Sequence, residues 1–267
     1  DGYSKIYAVM VNLAALFYLL LGLLFLNAWM RIYEIGEWQR AITLIAITFG
    51  TNLFYYTVVE PGMSHIYSFA LIAAFAYFAK RFFMEGKTAQ MLILGALLGW
   101  IIITRPVNGL VIFALPFIAG SWQNFQAGLK QVFGNSLRLL GAFLLAFSFI
   151  TIQLAIYKIS TGDWMVYAYG NEGFNFLEPH IFDILFSYKK GLFLYTPMYL
   201  LSLFGLYFLW KKSRFSFFSV SLFLILVIYV LSSWWQWYYG GSFSSRVFVE
   251  YLPFFALLFA FSIQYLQ

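Results

Sequence analysis

The chain has 267 residues, 63% of them hydrophobic and 10% charged, with a mean hydropathy of +0.82. Soluble domains carry about 25% charged residues, so water alone cannot solvate this surface and membrane lipids must cover much of it. The formal charge is +6, but the basic residues fall in short clusters between apolar runs and form no stripe, which argues against a nucleic-acid partner. The lack of cysteine excludes disulfides and thiolate metal sites.

In chain order, the apolar runs predict about nine membrane spans at about 20 residues per span. They cover Ile6 to Trp29, Ala41 to Val58, His65 to Phe82, Ala89 to Thr104, Val107 to Gly120, Ser136 to Tyr157, Gly191 to Trp210, Phe215 to Ser232 and Val247 to Leu266. A lone span in lipid must satisfy its own backbone hydrogen bonds, so each is expected to be helical. The runs are continuously apolar, without the alternation of a β-barrel. The fold class is therefore all-α, a polytopic transmembrane bundle forming one domain over 1–267. No internal repeat stands out.

The lysines and arginines set an expected orientation. With Asp1 outside, the inner loops hold Arg31, Arg40, Lys80, Arg81, Lys87, Lys130, Arg138, Lys211, Lys212 and Arg214, ten in all. Lys5, Arg105, Lys158, Lys189, Lys190 and Arg246, six in all, fall outside. Glu34, Glu37 and Glu85 lie inside and the remaining seven of the ten acids outside. Inner loops carry little beyond topology charges, so chemistry is expected on the outer side.

Arg105 lies in "TRPVN" between two short runs of about fifteen residues, or roughly 22 Å of helix, less than the roughly 30 Å hydrocarbon core. Pro106 disfavours helix at Arg105, so a turn dipping below the interface is expected there. An intramembrane Arg needs an anionic partner; it either grips a phosphate or pairs with a nearby acid or headgroup. His65 follows Glu60 in "VEPGMSH". The two could hold a divalent metal or shuttle a proton, or His65 could simply cap a helix. No HExxH spacing supports a dedicated zinc site.

The segment "SSWWQWYYGGSFSSR" joins Trp235, Trp237 and Tyr238 to Gly240, Gly241 and Arg246. Aromatic faces can bind sugar rings, and a glycine pair lets backbone approach a ligand. An interfacial aromatic belt is the alternative. The outer stretch from Ser160 to Lys190 carries Asp163, Glu172, Glu178, His180, Asp183, Lys189 and Lys190, a candidate lid or a solvated loop. Gly95 and Gly99, four apart, predict close helix packing.

The pieces "DGYSKIY", "GTNLFYYTVVEPGMSHIYSF", "TRPVNGLVIFALPF", "GLFLYTPMYL" and "WWQWYYGGSFSSRVFVEYLPFF" together resemble bacterial members of the GT-C class of membrane glycosyltransferases. The resemblance implies a GT-C-like bundle in a bacterial inner membrane, its site facing the periplasm, using a polyprenyl-phosphate-linked sugar. It implies an inverting transfer in which Arg105 and Arg246 hold the donor phosphate, Glu60 and His65 serve the acceptor or a metal, and Trp235, Trp237, Tyr238, Gly240 and Gly241 contact sugar or lipid. The class keeps its catalytic carboxylate in a first outer loop after an N-terminal span. That implies a general base upstream of Asp1, in a longer protein of which this chain is part. Two other readings stay open: a transporter or flippase for an anionic lipid-linked glycan, and a non-catalytic subunit docking a protein partner.

Overall fold

The computed structural model describes residues 4–166, 170 and 172–266; Asp1, at the head of "DGYSKIY", lies outside them. Among the described residues every regular element is helical, and one isolated bridge pairs Phe174 with Trp234. In order these are α1 (Lys5–Ile32), α2 (Glu37–Gly50), α3 (Leu53–Val58), α4 (His65–Glu85), α5 (Thr88–Thr104), a 3₁₀ segment (Pro106–Ala114), α6 (Leu115–Ala119), α7 (Trp122–Phe133) and α8 (Ser136–Thr161). There follow α9 (Ile181–Phe186), α10 (Leu192–Tyr195), α11 (Met198–Ser202), α12 (Phe204–Lys212), α13 (Arg214–Ser232), a second 3₁₀ segment (Arg246–Tyr251) and α14 (Leu252–Tyr265).

Five helical stretches are long and apolar enough to cross a membrane: Lys5–Ile32, His65–Glu85, Ser136–Thr161, Arg214–Ser232 and Arg246–Tyr265. The chain is a helical membrane protein. The other four expected spans are shorter or broken, each for a local reason. The second divides at Thr51, whose backbone is extended and whose hydroxyl donates to the Ile47 carbonyl at 2.6 Å and accepts from the Leu53 N–H at 3.2 Å. The seventh divides at Thr196, because the following Pro197 removes a donor and pushes its predecessor out of the helical region. The fourth is one helix of 17 residues, and the fifth is a 3₁₀ segment running into the five residues of α6.

α4 forms the centre, packed by α1 and α5 along its length, with α14 behind it. Most of α4 and α14 is buried, whereas α8 buries only Ala142 and packs chiefly on α5. That seam is tight: a Cβ on Gly95 would lie 2.2 Å from the Ala142 carbonyl oxygen, and one on Gly99 2.4 Å from that of Ala146. The Gly-xxx-Gly pair thus brings two backbones together, and Trp100 stacks on Phe149 beside it at 5.8 Å.

Two helices, α7 and the short α9, have no counterpart in the expected spans. α7 begins where the Ser121 hydroxyl accepts from the Asn124 N–H and lays Phe125 and Gly128 against Phe83. Trp122, Leu129 and Phe133 stay exposed on it, the pattern of a helix lying along an interface.

Loops gather at two ends. At one, segment 173–180 meets 232–235 through Asn175 N–H to Ser233 O (2.6 Å), Trp235 N–H to Gly173 O (2.9 Å) and His180 N–H to Ser232 O (3.0 Å). At the other, Gln264 donates to the Glu34 carbonyl and Ser216 to that of Gly120, each at 3.2 Å. This second end carries Lys80, Arg81, Lys87, Lys130, Lys211, Lys212 and Arg214, and is called the basic end below.

Candidate functional site

A cavity of about 610 Å³ opens at the first end, above the start of α4 and of the last membrane helix. Three elements build its floor. Pro106 holds Arg105 in extended backbone (φ −155°, ψ 116°) at the end of α5. His65 opens α4, and Glu250 projects from the 3₁₀ segment before α14. Glu250 Oε1 accepts from Arg105 Nη1 at 2.5 Å and from a protonated His65 Nδ1 at 2.8 Å. Glu250 is wholly buried, His65 nearly so, and Arg105 keeps 22% of its side chain exposed towards the cavity. A buried carboxylate with two donors on one oxygen is well held on that side, yet its Oε2 is buried without a partner.

Glu250 is the residue the sequence reading missed. It sits four residues after Arg246 in an apolar run, and a lone acid inside a span is itself a signal, because it requires a partner there. Its contacts set the partners of two expected site residues. Of the two alternatives open for Arg105, the structure shows pairing with a protein acid, Glu250. His65 pairs with Glu250 and not with Glu60. The turn after α3, closed by the Glu60 N–H on the Tyr55 carbonyl, leaves the Glu60 carboxylate accepting from the Tyr55 hydroxyl at 3.5 Å. Glu60 and His65 thus take different protein partners, and no group of three His, Cys, Asp or Glu converges among the described residues.

Arg246 reaches the same cavity and differs from Arg105. It makes no ion pair among the described residues. Its Nη1 lies 3.3 Å from Met63 Sδ, and its Nε is buried without a hydrogen-bond partner. A half-buried guanidinium with an unmatched charge beside open volume is suited to an anion from outside the protein.

The aromatic loop contributes residues adjacent to those expected. Trp234, Gln236 and Tyr239 line the cavity. The turn sends Trp235, Trp237 and Tyr238 elsewhere: Trp235 is half-exposed, Trp237 stacks on His180 at 6.0 Å, and Tyr238 lies 3.3 Å beneath the Lys189 ammonium. Gly240 has φ +70°, so the loop needs its freedom there. Its carbonyl and the Ser242 hydroxyl accept from Lys190 Nζ. Nothing crowds Gly240 or Gly241. Burial lowers Lys190 below the ordinary lysine range, and the charges of Arg246 and Lys189 lower it further; burial pushes the Tyr239 hydroxyl up.

A buried polar network pins this loop from below. The Asn52 amide donates to the Ser245 carbonyl at 3.4 Å while its oxygen accepts from the Tyr199 hydroxyl at 3.2 Å. The Tyr56 hydroxyl donates to the Phe243 carbonyl at 2.8 Å, and Thr196 meets Ser244 at 3.3 Å. On the other side the Tyr251 hydroxyl donates to Asn108 Oδ1 at 3.3 Å, and the Asn108 amide donates to Ser68 at 3.1 Å. The break between α2 and α3 thus has a purpose in the fold: it frees Asn52 to hold the strand of chain that carries Arg246 and Glu250. Tyr239 and Ser244 both adopt positive φ without being glycine, backbone that costs about 1–3 kcal/mol per residue unless its surroundings enforce it.

Fold and site together define a helical membrane protein with a polar cavity at one end of its bundle. No family model matches the sequence, and no curated protein or solved structure matches it.

Proposed function

We propose that the chain belongs to a GT-C-type membrane glycosyltransferase, moving a sugar from a polyprenyl-phosphate carrier to a hydroxyl of a lipid, glycan or protein on the non-cytoplasmic side. The observation that carries this reading is the unpaired Arg246 beside the buried Glu250–His65–Arg105 cluster, in one cavity at the end of a membrane bundle. A lipid-linked phosphate presents its charge at that depth, and Arg246 is the cation free to receive it. In the transfer, the acceptor oxygen attacks the anomeric carbon and the bond from that carbon to the phosphate oxygen breaks. The electron pair leaves with the phosphate, where Arg246 stabilises the developing charge. Among the described residues, His65 is the group suited to take the acceptor's proton, with Glu250 fixing its tautomer from Nδ1.

The packing supports a reaction at the interface over passage across it. Beneath Glu250, Tyr251 meets Phe223 at 6.0 Å, Phe223 meets Phe254 at 4.7 Å, and Phe254 meets Trp29 at 5.5 Å. All four rings are buried, each packed edge-on or tilted against the next. The test is transfer from a panel of polyprenyl-phosphate sugars by the purified protein in lipid nanodiscs, with donor binding measured separately. Arg246→Ala should lose donor binding and transfer while the protein stays folded. No binding of any polyprenyl phosphate, or transfer unchanged in Arg246→Ala, would remove the reading.

A further inference from the structure

A second cavity, of about 650 Å³, opens at the basic end and is lined from α4, α7, α12, α13 and α14. Three lysines, Lys80, Lys211 and Lys212, stand on its lining, and among the described residues no carboxylate side chain does. Lys80 is partly buried, makes no ion pair, and sits 4.8 Å over the Tyr33 ring. Gly120, at φ +84°, leaves the space its ammonium occupies: a Cβ there would come within 3.3 Å of Nζ. Lys211 and Lys212 are exposed at the mouth.

Two further features point the same way. The Tyr33 hydroxyl is buried facing the indole N–H of Trp29, a donor that can use only its oxygen, so among the described residues its own O–H has no acceptor; the two rings meet edge-on at 6.2 Å. The 19-residue helix α13 starts at this cavity with Ser213 and Ser216 on its lining, so the positive end of its backbone dipole adds to the lysines. Below the cationic rim the walls are apolar, formed by Phe208, Leu209 and Phe261.

Unmatched cations over apolar walls, at the end of membrane helices, fit an amphiphile with an anionic head. We propose that this cavity binds the headgroup of an anionic phospholipid, its phosphate held by Lys80, Lys211, Lys212 and the Tyr33 hydroxyl, its acyl chains along Phe208, Leu209 and Phe261. A free phosphate shares the charge chemistry but would leave those walls uncovered. The site lies across the bundle from the candidate transfer site and does not rest on the glycosyltransferase reading.

The test is native mass spectrometry of the whole chain, released from micelles titrated with phosphatidylglycerol, with phosphatidylcholine of the same acyl chains, or with inorganic phosphate. Phosphatidylglycerol should be retained at least tenfold better than phosphatidylcholine. Each lysine near a membrane surface changes binding of anionic lipid by about fivefold, so Lys80→Ala/Lys211→Ala/Lys212→Ala should weaken retention by roughly a hundredfold. Should Lys80→Ala prevent folding, the exposed pair Lys211→Ala/Lys212→Ala keeps the test, with a loss of roughly 25-fold. The control Lys87→Ala/Lys130→Ala/Arg138→Ala removes the same charge from the same end outside the cavity and should leave retention within about twofold. Equal loss in that control, equal retention of phosphatidylcholine, or binding of inorganic phosphate as tight as that of the lipid would each overturn the proposal.

Discussion

Arg105 and Glu250, 145 positions apart in sequence, meet at 2.5 Å on the floor of the site cavity. The contact joins the end of α5 to the start of the last membrane helix, and His65 adds α4 through the same carboxylate oxygen. One buried acid therefore ties three elements together, and Arg246 beside it makes no ion pair among the described residues.

Removing that acid should be costly. Glu250→Gln leaves Arg105 and His65 without their charged acceptor in a buried setting, where loss of one partner of an ion pair typically costs about 3–5 kcal/mol. Unfolding in detergent measures it. The double variant Glu250→Gln/Arg105→Gln should lose less than the sum of the single losses, since neither charge is then stranded. Full additivity would show that the pair is not energetically coupled.

Arg246→Ala should behave in the opposite way. With no ion pair to break, its effect on stability should stay within about 1 kcal/mol. If Arg246 stabilises a leaving phosphate, transfer should fall on the order of 100-fold. A large loss of stability with retained activity would assign Arg246 to structure.

The seam between α5 and α8 should not tolerate side chains. Gly95→Leu places atoms where the Ala142 backbone already lies, and overpacking of this kind costs about 1–3 kcal/mol. Because α8 buries so little elsewhere, limited proteolysis should detach it first in this variant, with α1, α4 and α14 still protected.

Lys190 should give stability a dependence on alkaline pH. Its folded value lies below the ordinary 10.5 because of burial and the nearby Arg246 and Lys189. Between the lowered value and 10.5 the unfolded chain binds more protons than the folded one, so stability rises with pH across that window. Below it the cost of the buried charge is present in full. Lys190→Met should flatten the rise in thermal midpoint, and an unchanged slope would assign the dependence to other groups.

The absence of cysteine makes orientation directly measurable. In sealed vesicles, Gly241→Cys and Lys212→Cys should react with a membrane-impermeant maleimide from opposite faces, with Gly241→Cys labelled from the non-cytoplasmic side. Labelling of both from one face would overturn the expected topology.

Composition alone determined that this is a helical membrane protein, because so few charged residues leave lipid as the necessary solvent, and lipid permits only internally satisfied backbones. Short motifs also carried geometry: the Pro after Arg105 foretold the turn that presents it, and Gly95-xxx-Gly99 foretold a close helix seam. Which helices stop short was legible only in part: Pro197 marks the break at Thr196 in the sequence, whereas no proline or glycine marks the one at Thr51, where the neighbouring Asn52 turns to the distant Ser245 carbonyl. The pairings in the site were decided only by tertiary structure. An arginine at the end of one span announces that it needs an anion, but whether that anion is Glu60 nearby or Glu250 at a distance depends on which helix ends packing brings together. Likewise, the loop path that puts Trp234, Gln236 and Tyr239 in the cavity and Trp235, Trp237 and Tyr238 outside it is held by hydrogen bonds from segment 173–180 and from Asn52 and Tyr56. No local propensity encodes those, because they exist only once the bundle has formed.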